Sequence, residues 1–363
     1  MRPIYYLGAF VPAAAVLRLA DASPSPVFFA AALAVVPGAA LMSDATEQLA
    51  ERSGPAAAAL LNVTLGNAPE LIISFFALLR GLQEVVKASL VGSVIGNALL
   101  VLGAAMLVGG WKRPRQTFDR TAAQAHSGLL MVTVAALALP TVLVLARGGA
   151  LASVGVPRRS FGAQAQHLSY AVSVVMILIY AAQLLSSLRG RGEPGAGHAP
   201  SAGQAPAAGA AWTVRRAALT LTGAGVLVGV MSELLVGSIE QASHAIGLSQ
   251  FFVGVFVVAI VGNASEHYVA IVLAARDRME LAVSIAIGSS AQIGLFVAPA
   301  LVLLSAAFGP MPMALVFNGY ELAGLLSAAM ISTLLIADGE STWFEGVQLL
   351  GVYVLLGLLY YFA

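Results

Sequence analysis

The chain has 363 residues, 59% of them hydrophobic and only 10% charged, with a formal net charge of +1 and a mean hydropathy of +0.90. A soluble domain carries about 25% charged residues, so this composition excludes a water-clothed globule. Cysteine is absent, which also excludes disulfides, thiolate metal sites and cysteine nucleophiles; the near-neutral charge says nothing about partners, among which no nucleic acid is expected.

Apolar runs long enough to cross a hydrocarbon layer about 30 Å thick recur from end to end. They predict an all-α polytopic membrane protein of eleven transmembrane helices, near 3–20, 26–49, 55–79, 84–109, 121–146, 166–188, 213–239, 248–275, 279–305, 311–336 and 343–362. Only Arg2 precedes the first run, and no small-residue cleavage site closes it, so it reads as a span. Twelve Lys and Arg fall on the N-terminal side of the layer and six on the other, with Arg18, Arg80, Lys87, Arg147, Arg158 and Arg159 making up the six. The positive-inside rule then makes the N-terminus cytoplasmic, and an odd number of spans puts the C-terminus outside. The Ala- and Gly-rich chain suits a prokaryotic inner (plasma) membrane. Residues 189–211, "RGRGEPGAGHAPSAGQAPAAGAA", have almost nothing to bury and are expected to form a flexible cytoplasmic connector. A lone His198 there is expected to be solvated rather than a ligand.

The third run contains "LGNAPELI", residues 65–72. Glu70 is its only ionisable side chain, and Gly66, Asn67 and Pro69, all weak in a helix interior, stand just before it. Pro69 lacks an N–H and crowds the carbonyl four residues back, so a break is expected that frees carbonyls near 65–67. The pattern returns in "VGNASEHYVAI": Gly66–Asn67–Ala68–x–Glu70 recurs 196 residues later as Gly262–Asn263–Ala264–x–Glu266, and Gly92–Ser93 recurs as Gly288–Ser289 at the same offset. The chain therefore divides into an extra helix at 1–22, a five-helix repeat at 23–188, the connector, and a second five-helix repeat at 212–363. Five spans per half insert the halves from opposite sides. Inverted repeats with interrupted helices at matching positions point to a transporter with its site at the midplane.

An acid near the membrane centre is by default a functional-site candidate. Glu70 and Glu266, the amide oxygens of Asn67 and Asn263, and carbonyls freed beside Gly66 and Gly262 make a hard-oxygen set suited to Ca²⁺. One divalent cation or protons neutralise two carboxylates, so a site obliged to hold one or the other exchanges them. The alternative is a packing patch of small residues with locally paired acids. His267 follows Glu266 but points about 100° away along a helix; it is expected to relay protons, or else to be a buried histidine bonded to a carbonyl. Ser93, Asn97, Ser289 and Gln292 are candidates to complete the shell, against the alternative of plain interhelical hydrogen bonds. Glu47 and Glu51, with Asp44 and its 196-offset equivalent Glu240, are candidate mouth acids, and Glu321 reads as a hydrogen-bonded buried acid.

Five stretches carry a family resemblance: "DATEQLAERSG", "LLNVTLGNAPELI", "ASLVGSVIGNALLVLG", "FFVGVFVVAIVGNASEH" and "RMELAVSIAIGSSAQIGLFVAP". Together they resemble the calcium/proton exchangers of the cation/calcium antiporter superfamily; sodium/calcium exchangers usually have Thr-Ser before the Pro-Glu. The resemblance implies eleven helices, alternating access, and Ca²⁺ leaving the cytosol as protons enter. It also implies that Glu70 and Glu266 are the ion-binding acids and that Gly66, Asn67, Gly262 and Asn263 lie at broken-helix positions. By the same resemblance His267 is the proton-linked histidine and Glu47 an acid of the cytoplasmic vestibule. The implied partners are Ca²⁺ and other divalent cations, protons and the bilayer, with no permanently bound cofactor. Pro69 stands where Thr or Ala is usual, Gly96 where Ser is frequent, and the connector lacks the acidic helix of many eukaryotic members. The competing functions are a sodium-coupled Ca²⁺ exchanger, a passive divalent-cation channel, and an intramembrane metal-dependent enzyme, against which stands the lack of any H-E-x-x-H pair.

Overall fold

The computed structural model describes residues 3–151, 153–154, 161–189 and 212–363. Arg2, Arg158, Arg159 and residues 190–211 of the expected connector, with His198, lie outside the described residues. The helices are α1 (Pro3–Leu19), α2 (Pro24–Ala50), α3 (Pro55–Leu65), α4 (Ala68–Leu79), α5 (Gln83–Gly110), α6 (Arg120–Ala146) and α7 (Ala163–Arg189). They continue with α8 (Val214–Ala245), α9 (Gln250–Ala275), α10 (Met279–Phe308), α11 (Gly319–Leu335) and α12 (Trp343–Tyr361). Among the described residues eight are long and apolar enough to cross a membrane, and α1, α4 and α11 are shorter apolar helices. With α3 and α4 sharing one crossing, eleven spans result, and the chain is an integral membrane protein. The sheet is one antiparallel pair, β1 (Gln116–Thr117) with β2 (Glu340–Ser341).

Local sequence explains where helices begin. Asp119, Thr213 and Ser249 accept the first-turn N–H groups of α6, α8 and α9. Asn318 with Glu321, and Thr342 with Glu345, close reciprocal boxes on α11 and α12. Burial sorts the bundle into two shells: α2 and α5 bury 72% and 78% of their spanning windows, whereas α7 and α12 bury 28% and 22%. Side chains such as Leu178, Leu219 and Leu355 on the outer shell face outward and suit lipid.

Three expected spans differ in form. The 55–79 run is two helices, because Pro69 cannot donate to Leu65 and the ladder stops at Gly66–Asn67. In the second half Gly262 and Asn263 lie inside an unbroken stretch, Ala259–Ala275. The position matching Pro69 is Ser265, which keeps its N–H, so the expected break there is corrected. The irregularity sits earlier, as a wide π-type turn at Val253–Val258. Residues 311–318 are not helical: Pro310 and Pro312 disfavour a helix before Asn318 can cap one. The segment is a non-helical strap, buried from Met313 to Asn318.

The repeat is visible in the packing. The most extensive helix–helix contact joins α2 to α8, which the 196-residue offset pairs as equivalents. Wide turns occur at Gly96–Val101 in α5 and Ile293–Val297 in α10, ending at equivalent residues. Ser290 Oγ donates to the carbonyl of Val94 at 3.3 Å. These two positions are themselves offset equivalents, and equivalents that touch lie on the pseudo-two-fold axis.

At Gly92 a Cβ would stand 2.0 Å from the Val255 carbonyl oxygen, whereas Gly96 has open space. Gly92→Ala is therefore expected to lower the melting temperature of the detergent-solubilised protein by several degrees. Gly96→Ala should leave it unchanged or raise it, since Ala gains about 1 kcal/mol of helix propensity over Gly.

Candidate ion-binding site

Four helices deliver the polar residues of the core. α4 brings Asn67 and Glu70, α9 brings Asn263, Glu266 and His267, α5 brings Ser93 and Asn97, and α10 brings Ser289 and Gln292. Because Asn67 caps α4, Glu70 lies in that helix's first turn, where the positive end of the helix favours a negative charge.

Each asparagine crosses to the other half. Asn263 Nδ2 donates to Ser93 Oγ at 2.9 Å, and Ser289 Oγ donates to Asn67 Oδ1 at 3.1 Å. Exchanging the halves by 196 residues turns the first residue pair into the second, with the donor reversed: the amide donates in one and the hydroxyl in the other. A second amide braces each: Asn67 Nδ2 donates to Gln292 Oε1 at 2.9 Å, and Asn97 Nδ2 donates to Asn263 Oδ1 at 3.2 Å. Ser289 Oγ also lies 2.6 Å from Glu266 Oε2. His267 Nε2 lies 3.0 Å from Asn97 Oδ1, so the histidine joins the network through a side-chain amide. Asn67, Asn97 and Asn263 are almost wholly buried, and the network leaves them little freedom to turn.

The glutamates are held differently. Glu266 is partly buried and bonded to Ser289. Glu70 is 7% exposed, and its Oε2 has no hydrogen-bond partner among the described residues. Its side chain rests on bare backbone: a Cβ on Gly262 would lie 3.3 Å from Glu70 Cγ and 3.5 Å from Oε1. The place of Gly262 is therefore to leave room for the opposite half's acid, not to break its own helix. Glu266 lies one helical turn beyond Gly262 on α9, so the two acids belong to segments that pack against one another. Among the described residues no three His, Cys, Asp or Glu side chains converge on one point. A cation here would draw its other oxygens from amides, hydroxyls and backbone.

Several residues stand apart. Gly66 marks the break between α3 and α4. Glu47 is buried toward the end of α2, and Glu51 caps that helix's C-terminus. Asp44 Oδ2 accepts from Tyr5 Oη at 2.5 Å. Glu240 is in α8. Glu321 accepts from the Asn318 N–H at 2.7 Å, as a hydrogen-bonded buried acid. Sequence reasoning missed the packing of Glu70 on Gly262 and the strap; paired prolines at 310 and 312 were the available signal for the strap. Lys87, counted among the loop charges, is buried within α5.

The sodium/calcium exchanger protein family model matches residues 25–189 and 216–362. The Ca(2+)/H(+) antiporter of Synechocystis sp. (strain ATCC 27184 / PCC 6803 / Kazusa) is 40% identical over 353 residues, covering 93% of this chain and 91% of that protein. The Ca(2+)/H(+) antiporter ChaA of Bacillus subtilis (strain 168) is 40% identical over 340 residues, covering 92% of each. The solved structure of native YfkE superposes with a TM-score of 0.82 at 36% identity, over 99% of this chain and all of that one. Two acids bracketed by exchanged Asn–Ser contacts, on a fold shared from end to end with these proteins, place the chain in the sodium/calcium exchanger protein family, on its calcium/proton exchanger branch.

Proposed function

We propose that the chain is a secondary active antiporter that exchanges cytosolic Ca²⁺ for external protons by alternating access, with Glu70 and Glu266 holding Ca²⁺ and protons in turn. The observation that carries this is the Glu70 carboxyl, buried against Gly262 of the other half with an oxygen that has no hydrogen-bond partner among the described residues. An ionised acid at the centre of a spanning helix costs about 3 kcal/mol on insertion scales. Two like charges brought close together in a medium of low dielectric repel one another in addition. A doubly charged cation or protons remove both penalties, and the site is unfavourable without one or the other. That coupling is what obliges exchange rather than leak.

In this reading Asn67, Asn263, Ser93, Asn97, Ser289 and Gln292 set the shell. Their oxygens, with carbonyls beside Gly66, complete the coordination that Ca²⁺ takes from six to eight oxygens. His267 sits one amide away and serves proton transfer, and Glu47 draws cations to the cytoplasmic mouth. The N-terminus is cytoplasmic, the C-terminus external, the membrane the inner membrane of a prokaryote, and other divalent cations compete with Ca²⁺. The Ca(2+)/H(+) antiporter names of the relatives support proton rather than sodium coupling.

In everted membrane vesicles, an inward-acid pH gradient is expected to drive Ca²⁺ uptake that collapses with a protonophore and ignores Na⁺. Uptake that follows a Na⁺ gradient and disregards pH would overturn the proton assignment. Glu70→Gln and Glu266→Gln should each lower that uptake at least a hundredfold while the protein remains monodisperse in detergent. Near-normal flux in either variant removes that residue from the site. Ser289→Ala, which takes the hydroxyl from both Glu266 and Asn67, should raise the half-saturating Ca²⁺ about tenfold with smaller loss of maximal rate.

A further inference from the structure

The non-helical strap at 311–318 is buried over its last six residues, from Met313 to Asn318. Non-helical backbone at membrane depth persists only where protein satisfies its polar groups, and here side chains do so one by one. Ser305, Ser169 and Thr141 hydroxyls accept the N–H groups of Met313, Leu315 and Phe317. Gln83 Nε2 donates to the Met311 carbonyl at 2.7 Å, and Lys87 Nζ donates to the Val316 carbonyl at 2.7 Å. Gln83 and Lys87 are four apart on one face of α5, so two ties fix the strap along that helix. The far end is locked to α11 by the Asn318–Glu321 box.

Lys87 is the unusual member. It is 5% exposed, shares a small cavity with Glu84, Asn318 and Glu321, and carries the Phe161 ring 5.2 Å from Nζ. Its charge thus meets two carboxylates, an aromatic face and a carbonyl. An ionisable side chain inside a span is rare enough to ask for a function. From Gln83 to Ile95 α5 is a regular helix, and Ser93 lies six residues, about 9 Å, beyond Lys87 on it. The wide turn that loosens α5 begins just after, at Gly96. The outer half of α5 therefore moves as one rod, held at one end by the strap and carrying Ser93 at the other. Among the described residues the ties on α10 differ: Gln116 of the matching segment donates to the Ala274 carbonyl and to Asp277, just before that helix begins. The offset equivalents of Gln83 and Lys87 are Met279 and Val283, both apolar. The equivalent of the strap, 115–122, forms the short β1–β2 pair and the start of α6 instead.

We propose that Lys87 is a positioning residue for exchange: by tying the strap to α5 it sets the height of Ser93 against Asn263, and so the ion affinity of the first half's side of the site. This rests on the Ca²⁺/H⁺ reading given above. The test is Ca²⁺-dependent proton flux in proteoliposomes for wild type, Lys87→Met, Lys87→Arg, Ser93→Ala and the Lys87→Met/Ser93→Ala double variant. Lys87→Met should raise half-saturating Ca²⁺ at least fivefold with maximal rate within twofold, and Lys87→Arg should restore it to within twofold of wild type. In the Ser93→Ala background, Lys87→Met should add less than twofold, because both act through one contact. A fall in maximal rate at unchanged half-saturation, or additive effects in the double variant, overturns the proposal. If Lys87→Met does not reach a monodisperse state, Gln83→Leu, which cuts only the Met311 tie, decides. A two- to threefold rise in half-saturation supports the proposal and no change overturns it. Absence of exchange in the wild type strikes the function itself, which keeps the two failures apart.

Discussion

A carboxylate buried among apolar helices has to be neutralised, and this requirement organises the molecule. Glu70 gains the positive end of α4 because Pro69 starts a new helix there, and room because the facing residue is Gly262. Glu266 gains the hydroxyl of Ser289. Neither arrangement cancels a full charge. The remainder is left for something that arrives and departs, and the helices bearing these groups stand inside an outer shell that keeps lipid away.

The two-fold relation between halves supplies rigidity where it is strict and direction where it fails. Ser93–Asn263 and Ser289–Asn67 are one residue pairing repeated with the donor reversed, and Val94 meets its own equivalent Ser290 on the axis. A network exchanged in this way makes each half the support of the other's ligands. The halves part company around it. α3 and α4 are severed at Gly66–Asn67, whereas α9 runs on through the matching Gly262–Asn263 and is widened earlier, at Val253–Val258. On one face a buried strap is tied to α5 through Lys87, and on the other a two-residue strand pair takes its place. A perfectly symmetric protein would hold its two open states at equal energy; these differences are where a preference between them originates.

Much of this was legible in residue order. Apolar run length gave the eleven crossings, and the 196-residue echo of G-N-A-x-E marked which acids belong together. Ser93, Asn97, Ser289 and Gln292, singled out because they stand just after the paired Gly92 and Gly288, make interhelical hydrogen bonds to the asparagines. The break expected at Gly262–Asn263 failed for a local reason: glycine and asparagine tolerate a break, but only a proline such as Pro69 enforces one. The strap was hidden for the opposite reason. Its residues are as apolar as a helix, and hydropathy does not register that Pro310 and Pro312 delay the helix to Asn318. The packing of Glu70 on Gly262 depends on how two segments distant in sequence meet, which no local pattern encodes.

The central claim is that Ca²⁺ and protons compete for the same pair of carboxyl groups. Its most direct measurement is proton release on Ca²⁺ addition to the purified protein in weakly buffered detergent solution. The account expects protons to appear in proportion to Ca²⁺ bound, with the release diminishing as the starting pH is raised and the groups begin empty. Saturable Ca²⁺ binding with no proton release at any pH would contradict it.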